Sequence, residues 1–217
     1  MATGFSLYGV FAIYFSLGVL ILKGGDVTYA GFWPRFAALL LDLFVMSPLF
    51  ILIWWGQTHF RLFDVYYFPP GTLFGLWYGV YLVRRFGGTP GKRLMKLRIV
   101  KVGGESVTYR EALLRYLPEW VMGIGTSLAG IVAVLSLTDA QYFAAATFIE
   151  RSQVVAEAMP SWNGPVTIAL NVWVWSEFLV MLTNKKRRAI HDFIAGTAVV
   201  KDAQPSVPGD APQAAPP

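Results

Sequence analysis

The chain has 217 residues, of which 55% are hydrophobic and 16% aromatic, with a mean hydropathy of +0.51 and a net charge of +5. This composition is too apolar for one soluble globular domain. The sequence contains no cysteine, which excludes disulfides, thiolate catalysis and cysteine-ligated metal sites, and its two isolated histidines argue against a histidine-rich metal site.

Five apolar segments approach about 20 residues, the length of a helix that crosses a bilayer. They cover residues 4–22, 36–56, 68–83, 120–137 and 166–183. We predict an all-α polytopic membrane helix bundle with four or five transmembrane helices. The count depends on residues 4–22, which either span the bilayer or lie on its surface. Because they lack the charged start and cleavage site of a signal peptide, we expect them to be retained.

The basic residues cluster in two places, which predicts the orientation of the chain. Four of them, residues 185–188, directly follow the last apolar segment. Since basic residues mark cytoplasmic loops, we predict that both clusters and the C-terminus are cytoplasmic. No recognition helix or RNA-binding motif accompanies them, so we expect no nucleic-acid partner. The other cluster, between the third and fourth apolar segments, is Arg84, Arg85, Lys92, Arg93, Lys96, Arg98, Lys101, Arg110 and Arg115.

The segment between the third and fourth apolar runs has its own predicted structure. Residues 96–102 alternate polar and apolar side chains, Gly103 and Gly104 predict a turn, and residues 105–108 are expected to return as a second strand. Thr108 and Glu111 have the spacing of a capping box, which predicts a helix that begins near Tyr109. We therefore expect a small cytoplasmic β-hairpin followed by an amphipathic helix.

The chain divides into three parts by composition. Residues 1–25 hold the N-terminal apolar segment, residues 26–201 form the predicted membrane domain, and residues 202–217 form a Pro/Ala-rich tail that we expect to be disordered. Within the loop before the last apolar segment, apolar residues at helical spacing over 141–159 predict a helix on the outer face.

Asp42 is a carboxylate inside a predicted span. It follows Arg35 by seven residues, so both lie on nearly the same helix face, with Asp42 about 10 Å deeper. A charge at that depth costs roughly 2.5–3.5 kcal/mol on insertion scales, so Asp42 needs a partner or a proton. Two roles stay open: a polar clamp that fixes helix packing, or an ion or proton site.

Glu177 precedes Asn184 by seven residues and is predicted at a similar depth. If its helix adjoins that of Asp42, the two carboxylates would form a proton-exchanging or cation-binding pair; otherwise Glu177 faces an outer vestibule or the interface. Asp192 is expected at the cytoplasmic boundary, ionised and paired with Arg35. His191 beside it is expected to be solvated.

Residues 88–92 superficially resemble a phosphate-binding loop. The match fails, because that loop needs Gly where Phe86 stands and Ser or Thr where Arg93 stands. We expect instead a tight turn at the membrane surface, with Lys92 and Arg93 binding anionic lipid headgroups. The sequence shows no hydrolase triad, metalloprotease motif or dinucleotide fingerprint, so we predict no enzyme activity, no cofactor and no metal.

Three blocks of sequence resemble the RDD family of prokaryotic membrane proteins, which is named for one Arg and two Asp residues. The naming triad falls on Arg35, Asp42 and Asp192. Two features depart from the common pattern, namely the apolar segment before Arg35 and the long outer loop. The resemblance implies a multi-pass inner-membrane protein and transport, since cation/proton antiport is attributed to some members. The blocks are residues 33–42, 88–100 and 187–197.

Our leading hypothesis is a transporter of the prokaryotic inner membrane, with cation or proton coupling. In it, Asp42 is the intramembrane carboxylate, Glu177 is a second candidate, and Arg35 with Asp192 forms a cytoplasmic-side gate or clamp. Because the chain is small and lacks an obvious inverted repeat, a pathway would require a homo-oligomer or a larger complex. The alternative is a non-catalytic accessory or assembly subunit of a membrane complex. A lipid-modifying enzyme is less favoured, since no nucleophile or metal site is recognisable.

Overall fold

The structure of the protein is a computed structural model that describes residues 28–201. The predicted N-terminal segment 4–22 and the predicted disordered tail 202–217 lie outside the described residues. The first described helix is α1 (Phe32–His59), which begins after Gly31. Pro34 lies in its first turn, where a missing backbone N–H breaks no helical hydrogen bond.

A second long helical stretch follows α1 and changes its winding near its middle. It consists of α2 (Phe63–Leu76), a π-helical turn (Trp77–Tyr81) and α3 (Leu82–Phe86). Gly87 ends α3 with a φ of 76°, a left-handed conformation that glycine adopts without steric cost. Short helix α4 (Pro90–Leu94) and strand β1 (Leu97–Lys101) come next.

The longest remaining helix is α5 (Tyr109–Ser136). It begins at the residue predicted from the capping box, which is present: the Glu111 carboxylate accepts a hydrogen bond of 2.7 Å from the Thr108 backbone N–H. Because this signal is local in sequence, it could be recognised without the fold. The chain then passes through α6 (Asp139–Phe143), α7 (Phe148–Glu157), α8 (Asn163–Thr183), α9 (Ile190–Ala195) and β2 (Thr197–Lys201).

The single outer helix predicted over residues 141–159 is wrong in its extent. The structure has two helices there, α6 and α7, separated at residues 144–147. Thr147 starts the second one, since its hydroxyl accepts a hydrogen bond of 3.2 Å from the Glu150 backbone N–H. A side-chain cap of this kind ends one helix and begins another even where the apolar spacing continues.

Three described helices are long and apolar enough to cross a membrane, namely α1, α5 and α8. The predicted span 68–83 lies within the interrupted helical stretch that runs from α2 to α3. Large apolar side chains face outward on these helices, as with Phe44, which is 77% exposed. Such surfaces would be unfavourable in water and are normal against lipid.

The predicted β-hairpin is wrong in its pairing. Strand β1 pairs antiparallel with β2 at the other end of the chain, in a register that places Ile99 opposite Val199. Residues 105–108 contribute only one isolated bridge, between Val100 and Ser106. Ile99 and Val199 are both buried, so β2 supplies apolar surface that the local return segment lacks.

The sheet packs on the start of α1 and α5 and defines one end of the bundle, which we term the sheet end. The Ala30 backbone N–H donates to the Val199 carbonyl oxygen at 2.9 Å, which ties the chain before α1 to β2. Leu97, Val107 and Ala112 join the same buried apolar core. The opposite end, formed by the end of α1 with α6 and α7, is termed the loop end.

Candidate functional site

Asp192 is fully buried at the sheet end, near the start of α9. Its Oδ2 accepts a hydrogen bond of 2.9 Å from Arg35 Nη1, so the contact predicted from the sequence is present. Its Oδ1 accepts hydrogen bonds from Arg115 Nη1 and, at 3.0 Å, from Thr197 Oγ1. We term this group, formed by Arg35, Arg115, Asp192 and Thr197, the Asp192 clamp.

The charges of the Asp192 clamp fix its ionisation. Burial alone would raise the pKa of Asp192, but the guanidinium groups of Arg115 and Arg35 hold it well below its usual range. The carboxylate therefore stays ionised at physiological pH and does not carry protons. The clamp joins four segments of the chain: the starts of α1 and α9, the second turn of α5, and β2.

Two further nitrogens of Arg35 also have partners, and a third arginine, Arg188, contacts the Asp192 backbone. Arg35 Nη2 donates to the Arg187 carbonyl oxygen at 2.7 Å, and Arg35 Nε donates to the Ala30 carbonyl oxygen at 3.1 Å. Arg188 Nη2 donates to the Asp192 carbonyl oxygen at 2.7 Å. With its donors used on backbone oxygens, Arg35 is held in one position, which is typical of a structural joint.

Asp42 is buried on α1 and accepts three hydrogen bonds. They come from the Tyr78 hydroxyl, from Thr89 Oγ1 at 2.6 Å and from the Gly91 backbone N–H at 2.7 Å. The last two donors belong to the start of α4, where backbone N–H groups have no partner within the helix. Of the two roles that the sequence left open, this geometry favours the clamp that fixes helix packing.

Gly91 explains why the segment 88–92 is rich in glycine. A Cβ atom at this position would lie 2.0 Å from the Ala38 carbonyl oxygen and 2.8 Å from Asp42 Cγ. Only glycine permits α4 to approach the backbone of α1 so closely. The segment is therefore a docking element for a short helix, and not simply a turn at the membrane surface.

Substitutions of Asp42 distinguish a packing clamp from an ion or proton site. Asp42→Asn keeps an oxygen for Tyr78 and Gly91 and turns its amide toward the Thr89 hydroxyl, so we expect a cost of about 1 kcal/mol in unfolding free energy. Asp42→Ala leaves three donors without an acceptor, and we expect about 3 kcal/mol or more. Melting temperatures in detergent measure both. Equal losses from the two variants, or a properly folded Asp42→Asn protein without cation flux, would contradict the clamp.

Glu177 and Asp42 do not form the pair that was considered from the sequence. Instead, Glu177 Oε1 contacts Nδ1 of His191 and accepts a hydrogen bond of 3.3 Å from the His191 backbone N–H. Glu119 Oε1 lies 4.0 Å from the same Nδ1. The expectation of a solvated His191 is wrong, because its side chain is only 13% exposed. We term Glu119, Glu177 and His191 the Glu-Glu-His cluster.

Two cavities meet the Glu-Glu-His cluster from different sides. The larger, of about 430 Å³, lies between α2 and α5 and includes Gln57 and Asp64 near the loop end and Glu119 near its inner end. Its lining on α5 extends from Tyr116 to Gly130, about 21 Å along the helix. The smaller, of about 130 Å³, is lined by Glu177 and His191 together with Arg35, Arg115 and Lys92.

Lys92 lies at this smaller cavity, and its Nζ is 3.5 Å from Thr89 Oγ1. Burial, together with the nearby charge of Arg115, lowers the pKa of Lys92 to about 8. Arg93 is exposed at the surface of α4. The binding of lipid headgroups by Lys92 and Arg93 stays a prediction, and the position of Arg93 suits it better than that of Lys92.

Glu119 is the residue that sequence reasoning missed. The apolar segment was taken to begin at Trp120, which placed Glu119 outside the span, although α5 continues through it. One signal was available: Glu119 follows Arg115 by four residues, so the two side chains share a helix face. An arginine and a glutamate on one face of a predicted helix would have drawn attention to both.

Comparison with known proteins identifies the family of the chain. The model of the RDD family matches residues 29–196. No curated protein matches the chain. The matched range contains the two buried aspartates and Arg35, and also every member of the Glu-Glu-His cluster.

Proposed function

Since the chain belongs to the RDD family, we propose that it is a cation transporter of the prokaryotic inner membrane. In this proposal the sheet end and the C-terminus face the cytoplasm, because the basic residues concentrate there. The ion site is the Glu-Glu-His cluster, and the triad that names the family holds the surrounding elements in place.

The observation that carries the proposal is the position of Glu119. Its carboxylate lines the larger cavity and also lies 4.0 Å from His191 Nδ1, within the Glu-Glu-His cluster. An ionisable group inside a membrane segment is costly and marks ion or substrate pathways. A cavity that extends about 20 Å along α5 and has such a group near its inner end supports entry of a cation from the loop end.

The two clamps support this assignment by elimination. Asp42 is occupied by three donors, and Asp192 is occupied by two guanidinium groups, a hydroxyl and the Ala189 backbone N–H. A carboxylate that already has full partners must lose them before it binds a cation. Glu119 has a side chain that is 44% exposed, at the cavity, and so remains accessible.

The smaller cavity suits the cytoplasmic half of a pathway. It places Arg35, Arg115 and Lys92 beyond the carboxylates of the cluster, where positive charge would oppose free passage of a cation. A pathway through one chain would therefore require the α8 and α9 side to move relative to α1. The sequence suggested a gate role for Arg35 and Asp192. In this proposal their contact is the pivot for the movement of α8 and α9 relative to α1.

Glu119→Gln is expected to reduce cation flux into proteoliposomes by about tenfold or more, since a lost charged ligand costs about 1.5–3 kcal/mol. Flux of Na⁺, K⁺ and divalent cations would be followed together with internal pH, which reports any exchange for protons. Glu105→Gln is the matched control, because Glu105 is exposed at the sheet end and lies outside both cavities.

Unchanged flux in Glu119→Gln would contradict the proposed ion site. If the wild-type protein gives no flux and purifies with a stable partner complex, the accessory or assembly subunit is favoured instead. Folded yield by size exclusion in detergent must be equal in both variants, so that a difference in flux reports the site and not the fold.

A further inference from the structure

We infer that the Glu-Glu-His cluster binds a divalent transition-metal ion of the class of Zn²⁺, Mn²⁺ or Co²⁺. The inference rests on the proposed function, because it names the class of cation that the transporter would carry. It also departs from our expectation of no metal site, which followed from the two isolated histidines.

The three ligand groups converge from three helices. Glu119 lies on α5, Glu177 on α8 and His191 on α9, and their ligand atoms all lie within 4.8 Å of one another. Oxygen and nitrogen ligands sit about 2.0–2.2 Å from such an ion, so ligand atoms around one ion lie about 3–4 Å apart. Glu119 Oε1 lies near that range, 4.0 Å from His191 Nδ1. Glu177 Oε1 contacts Nδ1 directly, so a bound ion would separate these two atoms and replace their contact.

The far side of the His191 ring provides an independent observation. Nδ1 faces the two glutamates, whereas Nε2 is buried and has no hydrogen-bond partner among residues 28–201. The Asp192 Oδ1 atom lies 3.9 Å from Nε2. A histidine that binds a metal through one nitrogen keeps its proton on the other and directs it toward a carboxylate or carbonyl. Asp192, which Arg35 and Arg115 hold in place, is the carboxylate on that side of the ring.

The ligand types indicate the class of ion. Ca²⁺ and Mg²⁺ prefer sites made entirely of oxygen atoms, whereas the later divalent first-row metals accept imidazole together with carboxylates. Two glutamates balance the charge of one divalent ion. Three protein ligands also leave a position for water or for transfer of the ion, as in open zinc sites, and the cavity beside Glu119 reaches that position.

Metal binding to the purified protein tests the inference without a membrane gradient. Chelator-treated protein in detergent would be titrated with Co²⁺, whose visible absorption reports ligand number and geometry, and the bound Co²⁺ would then be displaced by Zn²⁺. We expect one Co²⁺ per chain, displacement by Zn²⁺ and no displacement by excess Mg²⁺. Absence of Co²⁺ binding by the wild-type protein would overturn the inference and would leave the cluster as an ion pair between histidine and glutamate.

Two variants test the ligands themselves. Glu119→Gln is expected to weaken Co²⁺ binding about tenfold or more, whereas Glu105→Gln binds like the wild type. Because Glu119 is partly exposed at the cavity, we expect its replacement to leave folding intact, which a melting curve without metal would verify. His191→Gln is the second variant and should remove the nitrogen contribution to the absorption spectrum. Equal affinity in Glu119→Gln and the wild type would overturn the assignment.

The metal-binding assay and the flux assay can contradict the metal site and the transporter independently of each other. Metal binding without any cation flux contradicts the transporter and supports the metal site. Flux of Na⁺ or K⁺ by a protein that binds no Co²⁺ or Zn²⁺ supports the transporter and contradicts the metal site.

Discussion

Asp192→Asn is expected to destabilise the protein more than any other single charge change at the sheet end. The substitution removes the negative charge between Arg35 and Arg115, whose side chains are each only 10% exposed. Breaking a buried ion pair from one side leaves uncompensated charge and costs about 3–5 kcal/mol. For a chain of this size that cost corresponds to a melting temperature lower by roughly 10 °C.

The control for this experiment is Asp139→Asn. Asp139 also pairs with an arginine, Arg61, but its side chain is 75% exposed at the loop end. Exposed pairs contribute about 0–1 kcal/mol, so we expect little change. Thermal unfolding in detergent, followed by circular dichroism, compares the two variants. If both melt at the same temperature, the Asp192 clamp does not hold the sheet end together.

A double-mutant cycle then tests whether the stability lost on replacing Asp192 comes from its contact with Arg35. Because Arg35 and Asp192 share one network, the losses in Arg35→Ala and Asp192→Ala should not add in the double variant. In Asp192→Ala the two guanidinium groups of Arg35 and Arg115 face each other without an anion, and removing Arg35 as well relieves that repulsion.

Gly91→Ala is expected to separate α4 from α1. The added Cβ would lie 2.0 Å from a backbone oxygen, Ala38 O, and a backbone atom cannot rotate away as a flexible side chain can. Forcing atoms into such a contact costs about 3 kcal/mol, at the upper end of the range for overpacking. The displaced α4 would also withdraw two of the three donors to Asp42, namely Thr89 and Gly91.

Gly164→Ala is the matched control, since a Cβ at Gly164 would meet no atom within 4 Å. We expect its melting temperature to equal or slightly exceed that of the wild type, because alanine favours helix more than glycine does. Hydrogen exchange of the α4 amides would show whether the loss in Gly91→Ala is local. A wild-type melting temperature in Gly91→Ala would mean that α4 does not pack on α1 as described.

Features that depend on local patterns or on the length of apolar runs could be predicted from the amino-acid sequence. The apolar runs at residues 36–56, 120–137 and 166–183 became the cores of α1, α5 and α8 because a bilayer-length helix needs only continuous apolar composition. The start of α5 followed from Thr108 and Glu111, which are neighbours on one helical turn. The three motif blocks were enough to recognise the RDD family. The contact between Arg35 and Asp192 was predicted because both residues were placed near the same membrane boundary.

Other contacts between residues far apart in the chain could not be predicted in this way and required the folded structure. Strand β1 could not be matched with β2 from local alternation, because its partner lies about 100 positions along the chain. The three donors to Asp42, and the convergence of Glu119, Glu177 and His191, likewise depend on which helix faces pack together. Periodicity fixes the face of one helix but not its neighbour, because helix neighbours are selected by packing across the whole bundle.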